Sequence, residues 1–162
     1  MQIFNPGKLL FHLSACMARI SLLPKLPDWF IAQPLVGDVP LFSLFADKGV
    51  IGFINRCMSV YRKNLNSSWT GGDPLRNTEY ATIAYTQLDR HFNQRYSTII
   101  RITRQYMRSA KLLYRARQMR TARAYAFSAL RSYRRDPSVS LSEIQKLIVK
   151  TYLYQIGLKF DV

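Results

Sequence analysis

The sequence predicts an α-rich α/β chain, in which a mixed segment with one helix and short strands precedes an all-helical extension. Three observations support this prediction. Runs rich in β-forming residues occur before residue 73, helical periodicity continues almost to the end after it, and the charge balance also differs between the two parts. At 162 residues with 48% hydrophobic residues, the chain is long enough to build a core. We therefore expect two parts, residues 1–72 and residues 73–162.

In the first part, the best-marked element is a helix over residues 37–49. Asp38 is a favourable N-cap, and Pro40 stands in the first turn, where no backbone N–H is needed. Two runs rich in β-forming residues follow, Val50 to Ile54 and Met58 to Tyr61, and the Asn55-Arg56 pair between them is consistent with a tight turn or a short hairpin.

In the second part, Asp73-Pro74 repeats the pattern of a helix start. Asp136-Pro137 ends one helix, and Ser140 with Glu143 three residues later forms a capping box that starts the next. The apolar periodicity predicts helices near residues 74–93, 94–118, 119–134 and 140–155.

The charge of the chain is strongly asymmetric. There are 24 Lys and Arg against 9 Asp and Glu, a formal net charge of +15, of which residues 90–162 contribute +13. From Arg90 to Arg135 there are 13 basic residues and no acidic one. Such a balance suggests a partner that carries phosphates, either nucleic acid or an anionic membrane surface.

Several other classes are excluded by composition. No apolar run reaches the roughly 18 residues that a membrane-spanning helix needs. Cys16 and Cys57 are too few for a disulfide framework, and with His12 and His91 they do not form a zinc-binding pattern.

Three blocks between Leu26 and Gly71 resemble a known family. The blocks LPDWF, GDVPLFSLFADKGVIGFIN and MSVYRKNLNSSWTG resemble, in order and spacing, the C-terminal half of the catalytic domain of family 2 glycosyltransferases. The resemblance implies a GT-A fold and an inverting transfer of a sugar from a nucleotide-diphosphate donor to an acceptor hydroxyl. Residues 1–72 would then be the acceptor side of that domain, and the acceptor would be a glycan or a lipid-linked molecule.

The resemblance also implies roles for single residues. Asp38 stands where the family has the general base that deprotonates the acceptor hydroxyl, although an aspartate there is equally suited to cap the helix. Asn64 replaces a family histidine near the diphosphate. Trp69 stands in a polar loop, and a tryptophan there either binds a ligand or packs on the core. The residues implied in substrate binding are Trp29, Arg62, Asn64, Trp69 and Gly71.

A divalent metal, Mn²⁺ or Mg²⁺, is implied as the partner of the donor diphosphate. The family holds this metal with a D-x-D pair on its N-terminal half, and the sequence contains no D-x-D. We therefore expect no ligands for it in this chain, a truncated or split enzyme, and no activity without a separate N-terminal half.

The alternative prediction is a non-catalytic basic helical module that binds an anionic membrane or RNA. Helical spacing places five cations along one stripe. Apolar residues between them, such as Tyr106, Leu113 and Tyr114, can form an apolar side, and the aromatic ones could stack on bases. A solvated face without a ligand would show the same pattern. The family resemblance favours the membrane over nucleic acid and predicts a cytoplasmic protein at the inner membrane surface. The five cations are Arg101, Arg104, Arg108, Lys111 and Arg115.

Overall fold

The computed structural model describes residues 4–5, 8–9, 13–19, 21, 25–32, 38–60, 66 and 71–158, which are predominantly helical. The chain divides into two compact units, Met1–Asp73 and Pro74–Val162.

The first unit contains short elements and one longer helix. A two-residue antiparallel ladder pairs Phe4 with Leu9 and Asn5 with Lys8. Its described elements are β1 (Phe4–Asn5), β2 (Lys8–Leu9), a 3₁₀ turn (Leu13–Ala15), α1 (Asp28–Ile31) and α2 (Asp38–Lys48).

Helix α2 confirms the helix predicted over residues 37–49. It begins at Asp38, whose carboxylate Oδ1 accepts a hydrogen bond from the backbone N–H of Val39 at 2.8 Å. Its buried side includes Val39, Phe42 and Leu44.

The α/β prediction is wrong, because the strands that it requires are absent from the described residues 50–60. The runs at residues 50–54 and 58–61 were predicted to form a hairpin, but the described residues 50–60 are in neither strand nor helix. Large apolar side chains in this segment are exposed, including Phe53 and Val60. An extended segment becomes a strand only when another segment pairs with its N–H and C=O groups, which a β-rich composition does not provide. Apart from the ladder of β1 and β2, the regular elements in the described part of the chain are therefore helices.

The second unit is a bundle of helices. Helices α5, α6 and α7 enclose one apolar core, which contains Met107, Leu113, Ile144 and Leu147. The helices of the unit are α3 (Pro74–His91), α4 (Ser97–Ile100), α5 (Ile102–Arg115), α6 (Met119–Ser132) and α7 (Leu141–Gln155). The helices predicted over residues 74–93, 119–134 and 140–155 are confirmed.

Small and hydroxyl-bearing residues hold these helices close together. Ala122, Ala126 and Ala129 of α6 are fully buried, and small side chains at a helix contact allow a short distance between the axes. The hydroxyls of Thr103 on α5 and Ser132 on α6 are hydrogen-bonded at 2.8 Å. Their polar atoms are thus satisfied inside the bundle.

The single helix predicted over residues 94–118 is interrupted at Arg101. This residue adopts the left-handed conformation, with φ 54° and ψ 51°, and separates α4 from α5. The side chain of Arg101 does not cap the start of α5.

Asp136 supplies the missing cap from the loop between α6 and α7. Its Oδ2 accepts hydrogen bonds from the backbone N–H of Thr103 at 2.8 Å and from the hydroxyl of Ser138 at 3.0 Å. The backbone N–H of Ser138 donates to Oδ1 at 3.2 Å, and Asp136 is fully buried. A carboxylate at a helix N-terminus satisfies an N–H that lacks an intrahelical partner and complements the helix dipole.

The capping box at the start of α7 is confirmed on its Ser140 side. The Ser140 hydroxyl accepts a hydrogen bond from the backbone N–H of Glu143 at 3.3 Å. At the other end of α7, Gly157 has φ 89°, and the N–H of Leu158 donates to the carbonyl of Leu153 at 3.1 Å. This pattern is typical of a helix that ends at a glycine.

We predict that Asp136→Ala lowers the free energy of unfolding by about 2–3 kcal/mol, because the buried N–H of Thr103 and the partly buried hydroxyl of Ser138 lose a charged acceptor. Asp136→Asn keeps a carbonyl oxygen and should lose less. Ser138→Ala, which removes one donor and leaves the cap in place, is the matched control. Urea denaturation followed by circular dichroism measures all three. A loss below about 0.5 kcal/mol for Asp136→Ala would show that the cap is unimportant.

Candidate cationic interface

Four of the five predicted cations lie together on the outer side of α5. Arg104, Arg108 and Arg115 are exposed and Lys111 is half-buried, whereas Met107, Ala110 and Leu113 are buried in the core. We call Arg104, Arg108, Lys111 and Arg115 the α5 stripe. Arg101 precedes the helix at the left-handed break and is half-buried.

Two members of the α5 stripe contact the segment that leads into α7. The guanidinium of Arg104 donates a hydrogen bond to the carbonyl oxygen of Ser138 at 3.1 Å. The ammonium of Lys111 forms an ion pair with the carboxylate of Glu143. These contacts place the α5 stripe beside one side of α7.

That side of α7 carries two further cations, Lys146 and Lys150. They stand three and seven residues after Glu143, so they lie on the same side of the helix. Contacts between α5 and α7 follow the same order along both helices. Lys111 contacts Glu143, and further along Tyr114 contacts Tyr154, with ring centroids 6.1 Å apart. The two helices therefore run in parallel, and the α5 stripe continues into α7. Lys146 and Lys150 are not among the predicted cations, because the spacing within α7 does not show which helix packs beside it.

The acids of this unit are largely used internally. Residues 74–158 contain 16 Lys and Arg but four acids, Glu79, Asp89, Asp136 and Glu143. Asp89 is buried, accepts a hydrogen bond from the Ser97 hydroxyl at 2.6 Å and lies 3.9 Å from the Arg135 guanidinium. Asp136 is fully buried at the start of α5 and Glu143 pairs with Lys111, so few carboxylates are left to balance the other cations of the unit.

Tyr125 on α6 remains neutral over a wider pH range than an ordinary tyrosine. Burial raises the pKa of its hydroxyl, and the Glu79 carboxylate and Tyr106 raise it further. The rings of Tyr106 and Tyr125 are 6.4 Å apart. A neutral phenol adds no negative charge to this cationic unit.

The residues implied by the glycosyltransferase resemblance are described only in part. Asp38 is half-buried at the start of α2, and its described hydrogen bond is to the next residue. Trp29 is half-buried in α1, edge-on to Phe30 at 6.1 Å, and Gly71 is exposed in a bend. The other implied residues, Arg62, Asn64 and Trp69, lie outside the described residues.

The divalent metal implied by the resemblance stays a prediction. Among the described residues, no three His, Cys, Asp or Glu side chains come together as a ligand cluster. Across the described helices, none is both long and apolar enough to cross a bilayer.

No family model, curated protein or solved structure matches the chain. The glycosyltransferase assignment therefore stays a prediction that rests on the blocks between Leu26 and Gly71.

Proposed function

We propose that the protein is a binding module that attaches to an anionic membrane surface through its helical unit. The observation that carries this proposal is the separation of charge within the unit. The carboxylates of Asp89 and Asp136 are buried, and Glu143 pairs with Lys111. The exposed cations of α5 and α7 are Arg104, Arg108, Arg115 and Lys146.

The helices present these cations as a fixed group. Each Lys or Arg near an anionic leaflet contributes about 1 kcal/mol of binding free energy, so several on one side are enough for attachment. Because α5 is fixed at its start by Asp136 and beside α7 by the Lys111–Glu143 pair, the cations stay on one side without further ordering.

The burial of the aromatic residues of α5 favours a membrane over RNA. Single-stranded RNA is bound largely by stacking bases on exposed aromatic rings. Tyr114 is 5% exposed and belongs to the core. Tyr106 is half-buried and packs against that core. The aromatic residues that the sequence analysis considered for stacking therefore stabilise the bundle.

The glycosyltransferase function is a second hypothesis, supported by the sequence resemblance alone. The hairpin expected after α2 does not form among the described residues, and Asp38 has the local hydrogen bond of a helix start. We therefore rank the binding module first.

We predict that the double variant Arg108→Gln/Arg115→Gln binds phosphatidylserine vesicles at least about tenfold more weakly than the parent chain, because two outward cations are removed. The matched control is Arg120→Gln/Arg131→Gln, which removes the same charge from exposed positions of α6 and should weaken binding less. Vesicle flotation measures affinity, with neutral phosphatidylcholine vesicles as the reference.

An RNA filter-binding assay run in parallel tests the competing ligand. RNA binding without binding to anionic vesicles would overturn the membrane proposal, and equal losses for the two double variants would show that the α5 stripe has no special role.

We also predict that Glu143→Gln raises affinity for the same vesicles by about fivefold, because Lys111 loses its internal partner and the surface loses a negative charge. The ion pair is partly exposed, so the free energy of unfolding should fall by less than about 1 kcal/mol. Glu79→Gln on α3 removes an equal charge that does not pair with the α5 stripe and should have a smaller effect. Weaker vesicle binding by Glu143→Gln would contradict the charge-separation argument.

A further inference from the structure

Helix α7 has an apolar outer side as well as an apolar buried side. Its buried side holds Ile144 and Leu147. On the outer side, Val149 and Tyr152 of the helix and Ile156, the residue that caps its C-terminus, follow one another at spacings of three and four residues and are 53%, 50% and 72% exposed. Residues at such spacing share one helix face. We call Val149, Tyr152 and Ile156 the outer α7 face.

Cations lie on both edges of the outer α7 face. On one edge, the guanidinium of Arg123 lies over the ring of Tyr152, 3.6 Å from its centroid, and donates a hydrogen bond to the side-chain oxygen of Gln155 at 2.7 Å. On the other edge stand Lys146 and Lys150, which continue the α5 stripe. An exposed apolar strip of this kind is therefore bordered by positive charge.

We propose that the outer α7 face is the part of the molecule that enters the interfacial region of an anionic phospholipid leaflet. This inference rests on the proposed function and adds the contact that follows electrostatic attachment. Val149, Tyr152 and Ile156 lose contact with water among the upper acyl carbons, and Arg123, Lys146 and Lys150 remain at the level of the lipid phosphates. Helices with an apolar face and Lys or Arg beside it bind bilayer interfaces in this way.

Charge complementarity selects the lipid leaflet over other occupants of this face. A second copy of the chain, packed face to face, would bring Lys146, Lys150 and Arg123 toward their own counterparts, and like charges at an interface are unfavourable. RNA would satisfy the cations but leave the aliphatic side chains of Val149 and Ile156 without suitable partners. An anionic leaflet has phosphates and acyl chains at adjoining depths and meets both requirements.

The test combines a depth probe with a binding measurement on the full chain. In a background of Cys16→Ser/Cys57→Ser, the variant Ile156→Cys carries an environment-sensitive fluorophore, and Arg120→Cys carries the same label on α6 as the matched control. With phosphatidylserine vesicles, we expect a blue shift and quenching by spin-labelled lipid at position 156 and neither at position 120.

The binding arm compares Val149→Ser/Ile156→Ser with Phe53→Ser/Val60→Ser, which removes exposed apolar groups from the first unit. At high salt, where charge attraction is screened, the α7 variant should bind about tenfold more weakly than the parent, and the other should bind as the parent does.

The outcomes distinguish a failure of this inference from a failure of the proposed function. If the parent chain fails to bind anionic vesicles at any salt concentration, the proposed function and this inference both fall. If the parent binds but the label at position 156 stays in water, the inference alone is overturned. Loss of binding by Phe53→Ser/Val60→Ser with no loss by the α7 variant would also overturn it.

Discussion

The buried carboxylate of Asp136 is the interaction on which the arrangement of the helical unit depends. Arg101 interrupts the chain between α4 and α5 in the left-handed conformation, so α5 begins without a cap of its own. Asp136 provides that cap from the next loop but one, and the hydroxyl of Thr98 donates to the carbonyl of Arg135 at 2.9 Å beside it. The loop that starts α7 is thereby fixed to the start of α5, which sets the two helices side by side.

This arrangement links the folding of the chain to its surface charge. The carboxylates that a cationic chain has available are used where the fold needs acceptors: Asp89 with Ser97, Asp136 at α5 and Glu143 with Lys111. Few remain to neutralise the arginines and lysines outside. The same contacts that stabilise the bundle therefore leave its outer side strongly positive, which is the property that attracts an anionic surface.

Local signals predicted the helices well where those signals decide the structure. Asp38 at α2, Pro74 at α3 and the Ser140–Glu143 pair at α7 each mark a helix start through their own backbone neighbours. The break at Arg101 was missed, because a left-handed arginine has no sequence signature when its cap comes from 35 residues away.

The hairpin expected after α2 is absent from the described residues 50–60 for the opposite reason. Val50 and Phe53 belong to a run with β-forming composition, but pairing depends on another segment, and nothing in the run specifies one. The candidate interface was predicted as far as α5, since Arg104, Arg108 and Arg115 lie within one helix. Its continuation through Lys146 and Lys150 depends on the packing of α5 against α7, which periodicity within a helix does not reveal.

Hydrogen exchange of the full chain, with and without phosphatidylserine vesicles, tests most directly whether the helical unit meets the membrane. Binding through this unit should slow amide exchange at the outer α7 face and along α5. Exchange in α2 (Asp38–Lys48) should stay unchanged. Slower exchange in α2 with no change in α5 and α7 would contradict the account, because contact would then be made by the first unit.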